Sequence, residues 1–192
     1  MSLRLYFATG NRGKFKEAQR ILGECDVELV MAPWIPKIEV QADDVLEVAR
    51  IAALHAHLAT RLPVVVEDTG LYIEALNGFP GVYAAHVYKT IGLQGVLRLL
   101  EGVENRRAFF RTAVVAVIPP RIYEAVGVVE GRIVEEPRGS GGFGYDPIFE
   151  PLGAGKTYAE MSVEEKNRWS HRGRAFKTLC EALREAGLVR QT

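Results

Sequence analysis

A strand pattern, a glycine-containing turn and a helix pattern follow one another at the start of this chain. Leu3–Ala8 is apolar enough to form a buried strand, and the Gly10-Asn11 pair after it is typical of a turn. From Arg12 to Leu22 apolar residues recur at helical spacing, and Val27–Met31 predicts a second strand. This order favours a sheet that is covered by helices.

The rest of the chain mixes the two patterns in the same way. No internal repeat, low-complexity tract or long linker separates domains, so residues 1–192 are expected to form one domain, or two closely packed lobes, of α/β class with a mixed sheet. A helix is predicted from about Asp43, which can cap it, to Ala59, and a strand at Val64–Val66 that stops at Glu67. The later predicted elements are a helical pattern over 82–100, strands at Phe109–Ile118 and Ile122–Val129, a turn at Glu130-Gly131, and a last helical region from Ser162 to Leu188.

The charge balance argues for a small ligand. The 24 lysines and arginines equal the 24 aspartates and glutamates, so the chain lacks the basic excess of a protein that wraps a nucleic-acid backbone. We therefore expect a small anion as the partner, and no nucleic acid. No apolar run reaches the ~20 residues of a membrane span, and no signal peptide is recognisable, so the expected location is the cytoplasm.

The two cysteines, Cys25 and Cys180, lie far apart and have no metal-ligand spacing. Buried, reduced thiols are the expected state, in preference to a disulfide.

The turn at residues 9–14 has the features of a phosphate-binding site. A turn between a strand and a helix N-terminus offers free backbone N–H groups and the positive end of the helix dipole. Thr9 and Asn11 add side-chain donors, and Lys14 adds a full charge one turn into the helix. The pattern is not the Walker motif, and an ordinary strand-to-helix turn remains an alternative.

Acidic residues provide candidates for catalysis and metal binding. Glu67-Asp68 follows an apolar strand, where α/β proteins usually bind ligands. A carboxylate there can hold Mg²⁺ and activate a water molecule, or it can merely cap the next turn. Glu39 can complete a metal site, whereas Asp43 and Asp44 are better placed to cap the following helix.

Residues 141–147 and 170–172 are candidates for recognition of a base. Glycines around Phe143 and Tyr145 let a ligand approach the backbone, and either ring can stack on a base. Asp146 can accept a hydrogen bond from a ring N–H, and Arg172, which follows His171, donates only and so favours a carbonyl oxygen. The alternatives are a glycine loop anchored by core aromatics and a solvated helix start.

Taken together, these segments resemble the inosine triphosphate pyrophosphatase family, also called the Ham1 family. The resemblance covers essentially the whole chain, in order. It rests on Phe7–Lys14, on Glu67–Leu71 with Gly78–Tyr83, on Gly142–Phe149, and on Glu165-Lys166 with Ser170–Gly173.

The resemblance implies a function and a fold. Family members hydrolyse ITP, dITP and XTP to the monophosphate and pyrophosphate with a divalent cation, normally Mg²⁺. Their fold is a long mixed sheet flanked by helices, with the active cleft between two lobes, usually in a homodimer. By position, the residues that bind the phosphates are Thr9, Gly10, Asn11, Arg12, Gly13 and Lys14, with Thr69 nearby. The catalytic acid is Asp68, which also binds metal with Glu39. Phe143 stacks on the base, Asp146 with the His171-Arg172 pair reads its edge, Lys166 contacts the nucleotide, and Gly144 and Tyr145 also bind the substrate.

The chain departs from the family pattern at two places. Arg50 stands where many relatives have a lysine nearby, and Tyr145 stands where some have tryptophan. Two other functions are alternatives: a Maf-type nucleotide pyrophosphatase and a nucleotide sensor without catalytic activity. The Ser170–Arg172 segment and the Phe143–Asp146 run argue against the first, and the retention of Asp68 and Lys14 argues against the second.

Overall fold

A computed structural model describes residues 2–190 of the chain as alternating strands and helices. The strands are Leu3–Phe7 (β1), Val27–Met31 (β2), Val64–Ile73 (β3), Pro80–Gly81 (β4), Arg107–Ile118 (β5), Arg121–Ile133 (β6) and Phe149–Pro151 (β7). The helices are Arg12–Gly23 (α1), Val45–Thr60 (α2), Ala84–Thr90 (α3), Gly92–Leu99 (α4), Val163–Trp169 (α5) and His171–Glu185 (α6). Short 3-10 helices lie at Glu74–Leu76 and Tyr158–Glu160.

The strands form a mixed sheet, as predicted. Their order is β2-β1-β3-β5-β6-β7, and β4 pairs with β3. β1 is parallel to β2 and β3, whereas β4 is antiparallel to β3 and β7 is antiparallel to β6. The pairing of β1 with β3 joins Phe7 to Val65, so the turn after β1 lies beside the residues that follow Val65. This register determines where the candidate site forms.

Helix capping explains how several elements begin. Asn11 caps α1, Asp44 caps α2 by accepting from the Leu46 amide at 3.0 Å, and Ser162 caps α5. Asp43 and Asp44 were both expected to cap α2, and the cap is Asp44, because its extended backbone brings the carboxylate to a free helix amide.

Three other predicted boundaries were wrong. β3 does not stop at Glu67 but runs to Ile73, because Leu71 and Tyr72 pair with β4. Gly131 is not a turn but lies inside β6, where a side chain would collide with the main chain of Glu150 on β7. The helical pattern over 82–100 is broken at Gly92, whose φ is +63°, and the helical region from Ser162 to Leu188 is broken at Ser170, whose backbone is extended.

The chain divides into two compact units. Of the described residues, unit one holds those up to Asp68, Thr112–Gly127 and those from Arg172 onwards, whereas unit two holds Thr69–Arg111 and Val128–His171. Unit one has a core of side chains from β1, α1, β2 and α6, and unit two has a separate core around Phe110, Phe149 and Tyr158. The expectations of one domain and of a cleft between two lobes stay predictions. None of the helices within residues 2–190 has the length and apolarity that crossing a bilayer requires.

The expectation of two reduced thiols was wrong. Cys25 and Cys180 form a disulfide with a Cα–Cα distance of 6.1 Å. Both residues are buried in the core of unit one, where the end of α1 packs against α6. Their separation of 155 residues concealed this contact in the sequence.

Candidate active site

The turn after β1 is organised by its own side chains. Thr9 Oγ1 accepts from the Asn11 amide at 3.1 Å, and Asn11 Oδ1 accepts from the amides of Gly13 at 2.9 Å and Lys14 at 3.1 Å. Some of the backbone donors that we expected to be free are therefore already bound, because asparagine is an effective N-cap. Asn11 and Arg12 are exposed and carry further side-chain donors.

A buried network of charges lies behind this turn in unit one. Lys14 Nζ is 3.2 Å from Glu67 Oε2, and Arg172 Nε is 3.3 Å from the same oxygen. Arg172 also donates from Nη1 to Glu17 Oε2 at 2.7 Å. Burial lowers the pKa of Lys14, and the negative charge of Glu67 opposes that shift. Glu67 therefore holds both the ammonium of Lys14, which is in the first turn of α1, and the guanidinium of Arg172.

Asp68 stands next to this network and differs from Glu67 in its surroundings. Its side chain is 14% exposed, Lys37 Nζ is 3.6 Å from Oδ1, and Oδ2 is buried without a hydrogen-bond partner. Burial raises the pKa of Asp68 to about 6, against the opposing effect of Lys37 and Lys14. The negative charge of Glu39 contributes to the increase, so Glu39 lies within electrostatic range of Asp68.

Metal ligands are few at this place. Among residues 2–190 no group of three or more histidine, cysteine, aspartate or glutamate side chains is arranged to hold a metal ion. Asp68 and Glu39 are two carboxylates within electrostatic range of each other, and their binding of a metal stays a prediction.

Unit two contains a second buried ion pair. Lys166 Nζ is 2.6 Å from Asp146 Oδ2, which also accepts from the Phe143 amide at 2.7 Å. The same ammonium lies 4.5 Å from the centroid of the Phe143 ring. Gly142, at φ +71°, has no room for a side chain because a Cβ would collide with the Asp146 carboxylate. The Asp146 carboxylate and the Phe143 ring on this loop are thus held together with the Lys166 ammonium from α5.

Tyr145 and His171 are packed more deeply than the sequence suggested. Tyr145 is buried and donates its hydroxyl to the Ala84 carbonyl at 2.8 Å, and burial raises its pKa. Its ring is therefore a structural anchor, and Phe143 is the better candidate for stacking on a base. The buried His171 ring stacks on Phe110 with centroids 4.5 Å apart.

The predicted site residues are distributed over the two compact units. Lys14 and Asp68 belong to unit one, whereas Phe143, Gly144, Asp146 and Lys166 belong to unit two. The boundary on β3 falls after Asp68, so Thr69 belongs to unit two. His171 and Arg172, which were expected to act together, belong to unit two and to unit one respectively. The proposed contact of Arg172 with a base stays a prediction.

Sequence reasoning missed Glu17 and Lys37 and left Arg50 without a role. Glu17 follows Lys14 by three residues and precedes Ile21 by four, a spacing that puts all three on one face of α1 and could have revealed the buried charge. No local pattern points to Lys37, which lies in an irregular segment. Arg50 forms an ion pair with Glu124 on β6.

Comparison with known proteins identifies the family. The Ham1 family model matches residues 5–182. The chain belongs to the Ham1 family.

Relatives and solved structures match this Ham1-family chain along almost its whole length. It is 51% identical over 179 residues to a dITP/XTP pyrophosphatase of Pyrobaculum aerophilum, covering 92% of this chain and 94% of that protein. It is 47% identical over 183 residues to a dITP/XTP pyrophosphatase of Hyperthermus butylicus, covering 95% and 96%. The structure of a HAM1 protein from Coxiella burnetii superposes with a TM-score of 0.85 at 35% identity, covering 95% of this chain and 99% of that one. These matches confirm the predicted family and α/β fold and do not favour the Maf-type alternative.

Proposed function

We propose that this protein hydrolyses noncanonical purine nucleoside triphosphates, namely ITP, dITP and XTP, to the monophosphate and pyrophosphate. The observation that carries the proposal is the Asp146–Lys166 pair beside the Phe143 ring, in a chain whose relatives are named dITP/XTP pyrophosphatases. Hypoxanthine and xanthine present a 6-oxo acceptor and an N1–H donor, to which an ammonium and a carboxylate are complementary. Adenine presents the opposite pattern and would leave buried polar groups unpaired.

We assign the phosphates to unit one. Lys14, the exposed Arg12 and the Asn11 amide group supply donors at the N-terminus of α1, where the helix dipole also favours an anion. The buried Glu67 and Glu17 hold the cationic groups behind the turn. Thr9 accepts from the Asn11 backbone amide within the turn; we assign Thr9, Gly10 and Gly13 to the phosphate site, together with Thr69, which follows Asp68 directly.

Asp68 is the proposed general base. In the metal-free protein the pKa of Asp68 is about 6, so its carboxylate is ionised at neutral pH and is able to accept a proton. The water oxygen forms a bond to the α-phosphorus. The bond between the α-phosphorus and the oxygen that bridges it to the β-phosphorus breaks, and the bridging oxygen leaves with pyrophosphate. The proton of the water passes to Asp68.

A divalent cation, which we take to be Mg²⁺, fits the residues present. The Asp68 Oδ2 atom is buried and has no hydrogen-bond partner, and carboxylate oxygens are the ligands that Mg²⁺ prefers. Asp68 and Glu39 would hold the ion, which when bound supplies neutralisation of the phosphate charge. Because the substrate belongs to the nucleotide pool, we also propose a cytoplasmic location.

We further propose a homodimer. Unit two exposes five large apolar side chains within residues 79–99, which is an unusual concentration for a surface that stays in water. These are Phe79, Tyr83, Tyr88, Ile91 and Leu99. Light scattering coupled to gel filtration tests this assignment, and a monomeric mass at micromolar concentration would refute it.

The function is tested by product analysis with ITP and Mg²⁺. We expect inosine monophosphate and pyrophosphate in equal amounts, with a kcat/KM for ITP and XTP that exceeds the value for ATP by orders of magnitude and with GTP between them. Release of inorganic phosphate with the diphosphate would indicate a different cleavage site. Tight binding of ITP without turnover would favour a nucleotide sensor.

A further inference from the structure

Lys37 occupies a position that the proposed function leaves unused. It lies in the irregular segment between β2 and α2, two residues before Glu39. Its ammonium is 3.6 Å from Asp68 Oδ1 and donates to the main-chain oxygen of Glu67 at 3.2 Å. The Lys37 side chain is 22% exposed, so it stays partly accessible to solvent while it contacts Asp68.

The neighbouring cations are engaged elsewhere in the charge network. Lys14 Nζ is 3.2 Å from Glu67 Oε2, and Arg172 contacts Glu67 and Glu17. Within the described part of the chain, Lys37 is therefore the cation that forms an ion pair with Asp68. Glu67 receives its charge compensation from Lys14 and Arg172 and does not need Lys37 for it.

We propose that Lys37 competes with the divalent cation for Asp68 and yields it only when the nucleotide binds. This inference rests on the proposed function, which makes Asp68 a metal ligand. An ammonium and a divalent cation cannot both be close to one carboxylate without strong repulsion, because like charges repel at such short distances, most strongly where solvent is excluded. The free protein therefore binds the cation weakly.

The nucleotide removes this obstacle. A triphosphate bound at the turn offers oxygens to which the Lys37 ammonium can turn, and a charge-assisted contact with phosphate replaces the one with Asp68. Asp68 is then open to the cation. The consequence is an order of binding in which the cation enters with the nucleotide or after it, and the free enzyme does not retain metal.

Calorimetric titration of the nucleotide-free protein with Mg²⁺ or Mn²⁺ tests the inference. Removing the ammonium with Lys37→Met should tighten cation binding by about tenfold or more, because the competing charge is lost. Lys37→Arg keeps the charge and should bind the cation as weakly as the unmodified protein. Lys16→Met is the matched control, since Lys16 is exposed on α1, and it should leave the affinity unchanged.

Two outcomes would overturn the inference: a Lys37→Met protein whose cation affinity is unchanged or lower, or an equal gain in Lys37→Arg. Thermal unfolding of each variant shows whether it is folded, and Lys37→Arg supplies an independent comparison if Lys37→Met is not. Failure of the proposed function would be seen differently, as absence of ITP hydrolysis by the unmodified protein. A protein that hydrolyses ITP but shows no effect of Lys37 on cation binding refutes this inference alone.

Discussion

Arg172 Nη1 donates to Glu17 Oε2 at 2.7 Å, although 155 residues separate the two in the sequence. The contact joins the first turn of α6 to α1 within unit one, and both side chains are buried. Burial works against the charged guanidinium, but Glu67 and Glu17 outweigh it and raise the pKa of Arg172. Arg172 therefore stays charged and is a central part of the network behind the phosphate turn.

Replacing Arg172 by alanine should destabilise the protein strongly. Glu17 and Glu67 would remain buried with one cationic partner fewer, and breaking a buried pair in this way typically costs about 3–5 kcal/mol. Arg50→Ala is the control, because its ion pair with Glu124 lies at the surface and should contribute little to stability. Urea denaturation measures both. If Arg172→Ala folds well enough for kinetics, a smaller ITP-to-ATP ratio would support its predicted contact with the base.

Asp68→Asn should abolish most of the activity while leaving substrate binding largely intact. Loss of a general base typically lowers kcat by about 10²–10⁴. Steady-state kinetics with ITP, together with calorimetry using a nonhydrolysable analogue, separate turnover from binding. Asp43→Asn is the matched control, since Asp43 is exposed and should be neutral in this assay. A kcat for Asp68→Asn near that of the unmodified enzyme would disprove the assignment.

The same substitution should stabilise the metal-free protein, and in a pH-dependent manner. The pKa of Asp68 rises from 3.8 to about 6 on folding, so the folded state binds the proton more tightly than the unfolded state does. The contribution of Asp68 to stability is therefore full below pH 4 and is lost as the pH rises through about 6. At pH 7 to 8, Asp68→Asn should gain up to about 3 kcal/mol over the unmodified protein, and at pH 4 almost nothing. Denaturant unfolding with a chelator present at the two pH values measures this difference, and an equal effect at both would contradict it.

Lys166→Met should reduce discrimination between bases. Without the ammonium, the 6-oxo group of hypoxanthine loses its proposed donor, and Asp146 loses its partner at 2.6 Å. We expect kcat/KM for ITP to fall by about 10- to 100-fold, because a hydrogen bond to a charged group contributes about 1.5–3 kcal/mol, and we expect it to fall more than the value for ATP. Lys156→Met is a suitable control because Lys156 is exposed and pairs with Glu165. Equal losses for ITP and ATP would show that Lys166 only holds the loop.

The disulfide should make a measurable contribution to stability. Linking Cys25 to Cys180 closes a loop of 155 residues and so restricts the unfolded chain. A double Cys25→Ser, Cys180→Ser variant should lose about 2–5 kcal/mol of unfolding free energy. Calorimetric melting with and without reductant provides the comparison. The unmodified protein should respond to reductant and the double variant should not, and a reductant effect on both would refute the explanation.

Much of this protein follows from local sequence. Alternating apolar and helical patterns predicted β1, α1 and β2 almost to the residue, because buried strands and amphipathic helices have different periods. Side chains that cap helices act within three residues, so Ser162 was recognised as the start of α5 from its immediate neighbours. The order of motifs likewise predicted the family, which the comparisons confirm.

Other features were decided only by tertiary structure. The extension of β3 past Asp68 depends on its pairing with β4, and the disulfide depends on the packing of α1 against α6. The partners of Arg172 and of Lys37 also lie far along the chain. A residue's type specifies the charge and the hydrogen bonds that it can offer, and the sequence states these directly. Which groups receive them depends on contacts between distant segments, and those contacts exist only in the folded chain.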